Sequence, residues 1–218
     1  MEKELVIATY ERDYKEWTKY INDDVRITVY RKGENKNDPN EIYLEKNIGQ
    51  DVHTFFSHIV NRYEHLYDYT MFSQDFPFDH VRNIIELINA NPYYWSLSTN
   101  ISNDYEYYPF STGTALNWEF PMPQDAYTGK TLICKANGSP HHRPPDLQLD
   151  TLWPLIFTSE IPQRFEFVPS GHFIISKQCI LKRSKQFYQN IVNLLETRHL
   201  CPYEIERLEA YIFNPNIK

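Results

Sequence analysis

The chain has 218 residues, enough for one large domain or two small ones, and its 41% hydrophobic and 23% charged residues are those of an ordinary globular protein. A formal net charge of -7 without an evident basic face speaks against nucleic-acid binding. No run approaches the roughly 18 apolar residues of a membrane helix, so no membrane span is expected.

The cysteines Cys134, Cys179 and Cys201 are widely spaced and odd in number, which argues against a disulfide framework. Met1-Glu2-Lys3-Glu4 runs straight into an apolar stretch with no signal-peptide pattern, so a reduced, cytoplasmic location is expected. The N-x-S sequons at Asn100 and Asn137 then read as chance matches. Aromatic residues make up 16% of the chain. Tyr and Trp present flat faces that suit bases or sugar rings, whereas the Phe residues are read as core.

In chain order, Leu5 to Ala8 is a continuous apolar run, as in a central strand covered on both faces. A helix with Tyr14, Trp17 and Ile21 on one face follows, then a strand from Val25 to Tyr30 and a polar loop from Arg31 to Asn40. The clearest helix opens at Asn47-Ile48-Gly49-Gln50-Asp51 and carries Val52, Phe55, Phe56, Ile59, Val60 and Tyr63 at helical spacing. His53 and His58 lie on that helix and read as partly buried structural histidines.

Tyr69 to Gln74 is then a buried strand that stops at Asp75. A Pro-containing turn brings Asp79 and His80, and Val81, Ile84, Ile85 and Ile88 predict a helix from His80 to about Asn89, ended by Asn91-Pro92. Open α/β sheets bind ligands beyond the carboxyl ends of their strands. Asp75, Asp79 and His80 are therefore placed where such a fold keeps its chemistry, and oxygen ligands there suit a hard divalent cation. The competing reading is a capped turn, with Asp79 as helix N-cap and Asp75 solvated.

Three strand–helix units in succession predict an open, mainly parallel sheet. From Pro92 to Pro169 periodicity is weak, and Pro and aromatic residues dominate. A strand over 171–176, a helix with Phe187, Ile191, Leu194 and Leu195, and a last helix from Pro202 close the chain. It ends at Lys218 directly after that helix, as a domain cut from a longer protein would. No G-x-G-x-x-G, Walker A or G-x-S-x-G motif is present, which counts against a Rossmann dehydrogenase, a P-loop NTPase and an α/β-hydrolase.

Several loose motifs occur in a characteristic order. They are Ala8-x-Tyr10-x-x-Asp13-x-x-x-Trp17, Tyr30-x-Lys32-Gly33, Asn47-Ile48-Gly49-x-x-x-His53, Phe72-x-Gln74-x-x-Pro77-Phe78-x-His80, Phe173-x-Ile175-Ser176 and Tyr203-x-x-Glu206-Arg207-Leu208. In this the chain resembles a family of fungal, bacterial and large-DNA-virus proteins that includes the N-terminal domain of a chlorella-virus glycosyltransferase of the GT-A fold. It departs from the pattern at Asp51, where Glu is expected, and at Glu209, where an aromatic is common.

The resemblance implies a single GT-A-like α/β domain, a mainly parallel sheet flanked by helices, with a nucleotide-sugar half over about 1–91 and an acceptor half over about 92–218. It implies a metal-dependent glycosyltransferase moving a hexosyl group, with inversion, from a nucleoside-diphosphate sugar such as a UDP-sugar to a glycan or glycoprotein acceptor. If virus-encoded, such an enzyme would work in the host cytoplasm. The Asp-x-Asp of GT-A enzymes is reduced here to Ser73-Gln74-Asp75, so Asp75 becomes the first candidate for Mn²⁺ or Mg²⁺, with Asp79 and His80 behind it.

Tyr10 would stack on the base, with polar help from Arg12, Asp13 and Lys32, and His142 and Arg143 would meet the diphosphate. Inversion needs a base for the acceptor hydroxyl. Asp146 and Asp150, flanking the His141-His142-Arg143 loop, rank ahead of Glu160 and Glu166 for it. Asp75→Ala is expected to remove metal-dependent UDP binding and leave thermal stability nearly unchanged. Two other functions compete, a metal-dependent hydrolase or phosphoesterase built on Asp75, Asp79 and His80, and a non-catalytic carbohydrate-binding module using the aromatic second half.

Overall fold

A computed structural model describes residues 1–34, 37–101, 103–111, 116–119, 147–162, 164–168, 171–199 and 201–218. The fold is α/β. Six strands, β1 (Lys3–Thr9), β2 (Val25–Arg31), β3 (Glu41–Tyr43), β4 (Tyr69–Gln74), β5 (Tyr107–Pro109) and β8 (Phe173–Ser176), form one mixed sheet in the order β3-β2-β1-β4-β8-β5. Two more, β6 (Leu116–Glu119) and β7 (Arg164–Phe167), pair separately.

The expected parallel arrangement holds for β3, β2, β1 and β4. It fails at β8, which runs antiparallel to both β4 and β5. A short apolar run covered on both faces looks the same in either direction, so its sense is not written in its pattern.

Helices cover both faces. Successive side chains of a strand point to opposite sides, and the core divides accordingly. Val6, Phe72, Phe173 and Ile175 join one cluster with α2 (Gln50–Arg62), α5 (Leu149–Ile156), α7 (Lys185–Thr197) and α8 (Cys201–Ile212). Leu5, Ile7, Met71 and Ile174 join the other with α1 (Lys15–Thr18), α3 (Ile84–Asn89) and the Trp95 side of α4 (Pro92–Ser98). A short helix, α6 (Lys177–Ile180), follows β8 directly.

Local chemistry explains where the elements differ from the expected ones. Asn91-Pro92 starts a helix as well as ending one. Asn91 is the N-cap of α4, its side chain accepts from the Tyr94 amide at 3.2 Å, and Pro92 takes the first helical position. The helix expected from His80 begins only at Ile84, because Pro77 to Asp79 form a 3-10 turn. The Pro77 carbonyl accepts both the His80 and Val81 amides, so Asp79 is not an N-cap.

The outer strands are three residues long. On β5 the Asn103 side chain accepts from the Tyr107 amide and donates to its carbonyl, and Pro109 has no N–H, while its carbonyl accepts from the Asn100 amide and the Thr99 hydroxyl.

At the amino end of the sheet a buried carboxylate is paired. Glu4, 1% exposed, accepts from the Thr28 hydroxyl at 2.6 Å and lies 3.3 Å from His58 Nε2, whose Nδ1 meets the Tyr30 hydroxyl at 3.0 Å. Burial alone would raise the Glu4 carboxyl, but His58, Thr28 and Arg62 outweigh it and hold the group below the usual glutamate range. Its contribution to stability is therefore complete above the unfolded value and lost as pH falls through the lowered one. Glu4→Ala should cost roughly 3–5 kcal/mol, the range for breaking a buried pair, and should flatten the acid side of the stability profile measured by denaturant titration.

Candidate functional site

The chain goes outward from β1 to β2 and β3, then crosses back through α2 to place β4 on the other side of β1. This makes the carboxyl ends of β1 and β4 a topological switch point, where open α/β sheets bind ligands. An open cavity of about 300 Å³ lies there. Its walls are the end of β1 (Ala8, Thr9, Tyr10), the end of β4 (Gln74, Asp75), Lys32 after β2, and Asn47, Gln50 and Asp51 at the start of α2. All of these lie within the first half of the chain, although β5 and β8 of the second half complete the sheet.

Asp75 follows β4 immediately and half-faces the cavity. Its Oδ2 accepts from the Tyr10 amide at 3.1 Å, the Arg12 amide at 3.2 Å and the Thr9 hydroxyl at 3.2 Å. Its carbonyl accepts from Trp17 Nε1 at 2.8 Å. The residue thus pins the loop between β1 and α1 to the end of β4. Oδ1 accepts no hydrogen bond from a described residue. Tyr10, on that loop, is 47% exposed. Its ring lies against Gly33, whose φ of +82° suits glycine, and a Cβ there would come within 2.6 Å of a ring carbon.

Lys32 is 4% exposed. Its Nζ donates to the Ile48 carbonyl at 2.7 Å and to the Gln50 carbonyl. Between those carbonyls Gly49 and Gln50 both adopt positive φ, +63° and +51°. Glycine tolerates this, and glutamine is strained by it. The lysine therefore clamps the turn that aims the first residues of α2 into the cavity. Burial lowers its amine from 10.5 to about 8, against the opposing charge of Asp51.

Asp51 is the second carboxylate on the cavity wall. Its Oδ2 accepts from Gln74 Nε2 and its Oδ1 from the Val52 amide at 3.0 Å. Behind it, α8 contributes a buried charged layer. Arg207, 1% exposed, donates to Glu206 at 2.8 Å and lies over the Phe167 ring. Glu209, 2% exposed, accepts from the Tyr107 hydroxyl at 3.2 Å. Burial first, then the charges of Glu206 and Asp51, push the Glu209 carboxyl well above the usual range, and burial together with Asp51 raises Glu206, against the pull of Arg207. Asp51 and Glu209, the two departures from the motif pattern, thus belong to one network. Neither carried a site role in the sequence. The signal was the four charged positions Glu204, Glu206, Arg207 and Glu209 on a helix whose buried face is otherwise largely apolar.

The other candidates are more scattered. Arg12 forms an exposed pair with Asp79 at 3.4 Å and covers the Phe76 ring. With Asp13, whose Oδ1 accepts from the Lys15 amide at 2.8 Å, it borders a neighbouring cavity rather than the one at the switch point. The His80 ring lies 5.7 Å from that of buried His172. Asp79 and His80 do not line the cavity that Asp75 lines, and among the described residues no group of three or more His, Cys, Asp or Glu could hold a metal alone. Asp150 is exposed on α5, bonded to the Thr151 amide at 3.0 Å and off the cavity wall. Glu160 is exposed, and Asp146, His141, His142, Arg143 and the Glu166 side chain lie outside the described residues. His53 and His58 are structural, bonded to Glu196 and held between Glu4 and Tyr30.

Fold and cavity together define an open-sheet α/β protein with its crevice at the switch point. The chain belongs to the family described as a protein of unknown function (DUF3431), whose model matches residues 5–214. No curated protein and no solved structure matches it. Among the described residues no helix is long and apolar enough to cross a membrane.

The bonds to Asp75 revise the expectation that its loss leaves stability unchanged. Asp75→Ala removes the acceptor of the exposed Tyr10 and Arg12 amides, so it should cost roughly 0.5–1.5 kcal/mol, the net worth of a hydrogen bond, and speed hydrogen exchange at those two amides. For Lys32, a nitrogen NMR titration of lysine-labelled protein should show one Nζ with a midpoint near 8, set apart from the ordinary 10.5.

Proposed function

We propose that the chain is a glycosyltransferase of GT-A-like architecture that takes its sugar from a nucleoside-diphosphate donor, a UDP-sugar in the first instance, with Mn²⁺ or Mg²⁺ as cofactor and a glycan or glycoprotein as acceptor. The observation that carries this is the switch-point cavity, bounded on one side by the half-exposed Tyr10 ring and on another by Asp75, whose Oδ1 accepts from no described residue. Mg²⁺-type sites use one or two carboxylates, with substrate phosphates and water as the remaining ligands. A single carboxylate oxygen fits that demand. Bound there, the cation neutralises charge on the departing diphosphate.

The chain's own residues do the rest. Tyr10 stacks on the base, its ring fixed against Gly33. Asp75 couples that ring to the metal position, because the same carboxylate holds the Tyr10 amide. Lys32, charged at neutral pH, sets a positive charge in the cavity wall.

Calorimetric titration with UDP, GDP and free sugars, with and without Mn²⁺, tests this. UDP should bind only with the cation, and Tyr10→Ala should weaken it by roughly 1–3 kcal/mol, the range for one lost base–aromatic stack. Binding of free sugar without nucleotide would favour a carbohydrate-binding module. Absence of nucleotide binding would remove the transferase.

A further inference from the structure

Asp51 has no task in donor binding, yet it is built into the cavity wall with both carboxylate oxygens held. It stands on the first turn of a 13-residue helix, which fixes its backbone. Gln74 and the Val52 amide hold its two oxygens. Gln74 and Asp75 are consecutive at the end of β4, and consecutive strand residues turn to opposite faces. Gln74 accordingly turns toward α2 and engages Asp51, while Asp75 turns toward the loop after β1 and engages Tyr10 and Arg12. The two carboxylates on the wall are thereby held on opposite sides of the sheet's end.

We propose that Asp51 is the catalytic base of this site and Gln74 its positioning residue, an assignment that rests on the transferase function above. The role expected for Asp146 or Asp150 passes to a residue seated in the cavity. In the step, the acceptor oxygen forms a bond to the anomeric carbon. The bond from that carbon to the diphosphate oxygen breaks, and its electron pair leaves with the nucleotide. The hydroxyl proton passes to the Asp51 carboxylate and from there to solvent. An inverting displacement needs the proton acceptor on the side away from the leaving diphosphate. With the metal position at Asp75, that side is the one Asp51 occupies. A carboxylate that accepts two hydrogen bonds stays oriented toward the cavity and does not swing to solvent.

The test uses the full chain with Mn²⁺. UDP binding is read by calorimetry and UDP release from a panel of UDP-sugars by a coupled assay, with water as acceptor. Asp51→Asn should bind UDP within about twofold of wild type and release it about 100-fold to 10,000-fold more slowly, the range for losing a general base. Asp51→Glu, checked for folding by thermal melting, should restore part of the rate. Gln74→Leu should lower kcat for UDP release while leaving KM and UDP affinity unchanged, which a merely structural glutamine would not do. Wild-type release by Asp51→Asn, or loss of its UDP binding, overturns the assignment. So does a wild-type protein that binds UDP and releases none from any UDP-sugar. A wild-type protein that binds no UDP overturns the transferase function itself.

Discussion

The structure is organised by the burial of β1 on both faces. Leu5, Val6 and Ile7 are all completely inaccessible, and parallel neighbours in unbroken register occupy both edges. Each such side chain contributes about 1.5–3 kcal/mol when removed from water. A strand enclosed in this way meets solvent only at its ends. The chain must cross over it to reach β4, and the crossing opens a crevice at its carboxyl end. The amino end is closed by the partnered Glu4 and by Lys3, which reaches Asp24 at 3.2 Å.

Charge is distributed to match. Burying an ionisable group costs free energy unless it is paired. At the amino end Glu4 is paired with Thr28 and His58. At the carboxyl end the chain accepts a depressed lysine at Lys32 on the cavity wall and, on α8 within reach of the Asp51 charge, two raised carboxyls at Glu206 and Glu209. None of them is needed to fill the core, since apolar groups would do so at lower cost. Strained backbone at Gln50 sits in the same place. Perturbed groups and strain gathered at one end of a sheet are the mark of a site rather than of a scaffold.

The first half of the fold was legible in the sequence because its elements are long and regularly patterned. The apolar runs of β1, β2 and β4 and the stripe of α2 emerge within a residue or two of their expected limits. Asp75 and Tyr10 were found by their place at strand ends, which topology rewards. β3 and β5 were not legible, because three residues carry no period. The direction of β8 was hidden by its uniform burial. Asp51 was hidden because its partner Gln74 comes from β4 and the carboxyls that feel its charge, Glu206 and Glu209, from α8, far away in the chain, and no local spacing announces such a meeting. Lys32 was expected to help Tyr10 at the base, and only the turn at Gly49 and Gln50 shows that its amine binds two carbonyls.

The two borders of the sheet have a consequence for how the chain behaves in company. Exposed backbone at a sheet edge is a template on which another chain can add a strand. On β5 the amide and carbonyl of Tyr107 are already occupied by the side chain of Asn103, which stands where a neighbouring strand would, and Pro109 has no hydrogen to offer. On β3 the edge is three residues long, and Glu41 is drawn inward onto the Arg31 guanidinium. Asn103 is thus a one-residue substitute for a seventh strand. At the β5 border the six-stranded sheet is thereby finished, and another chain finds little there to extend.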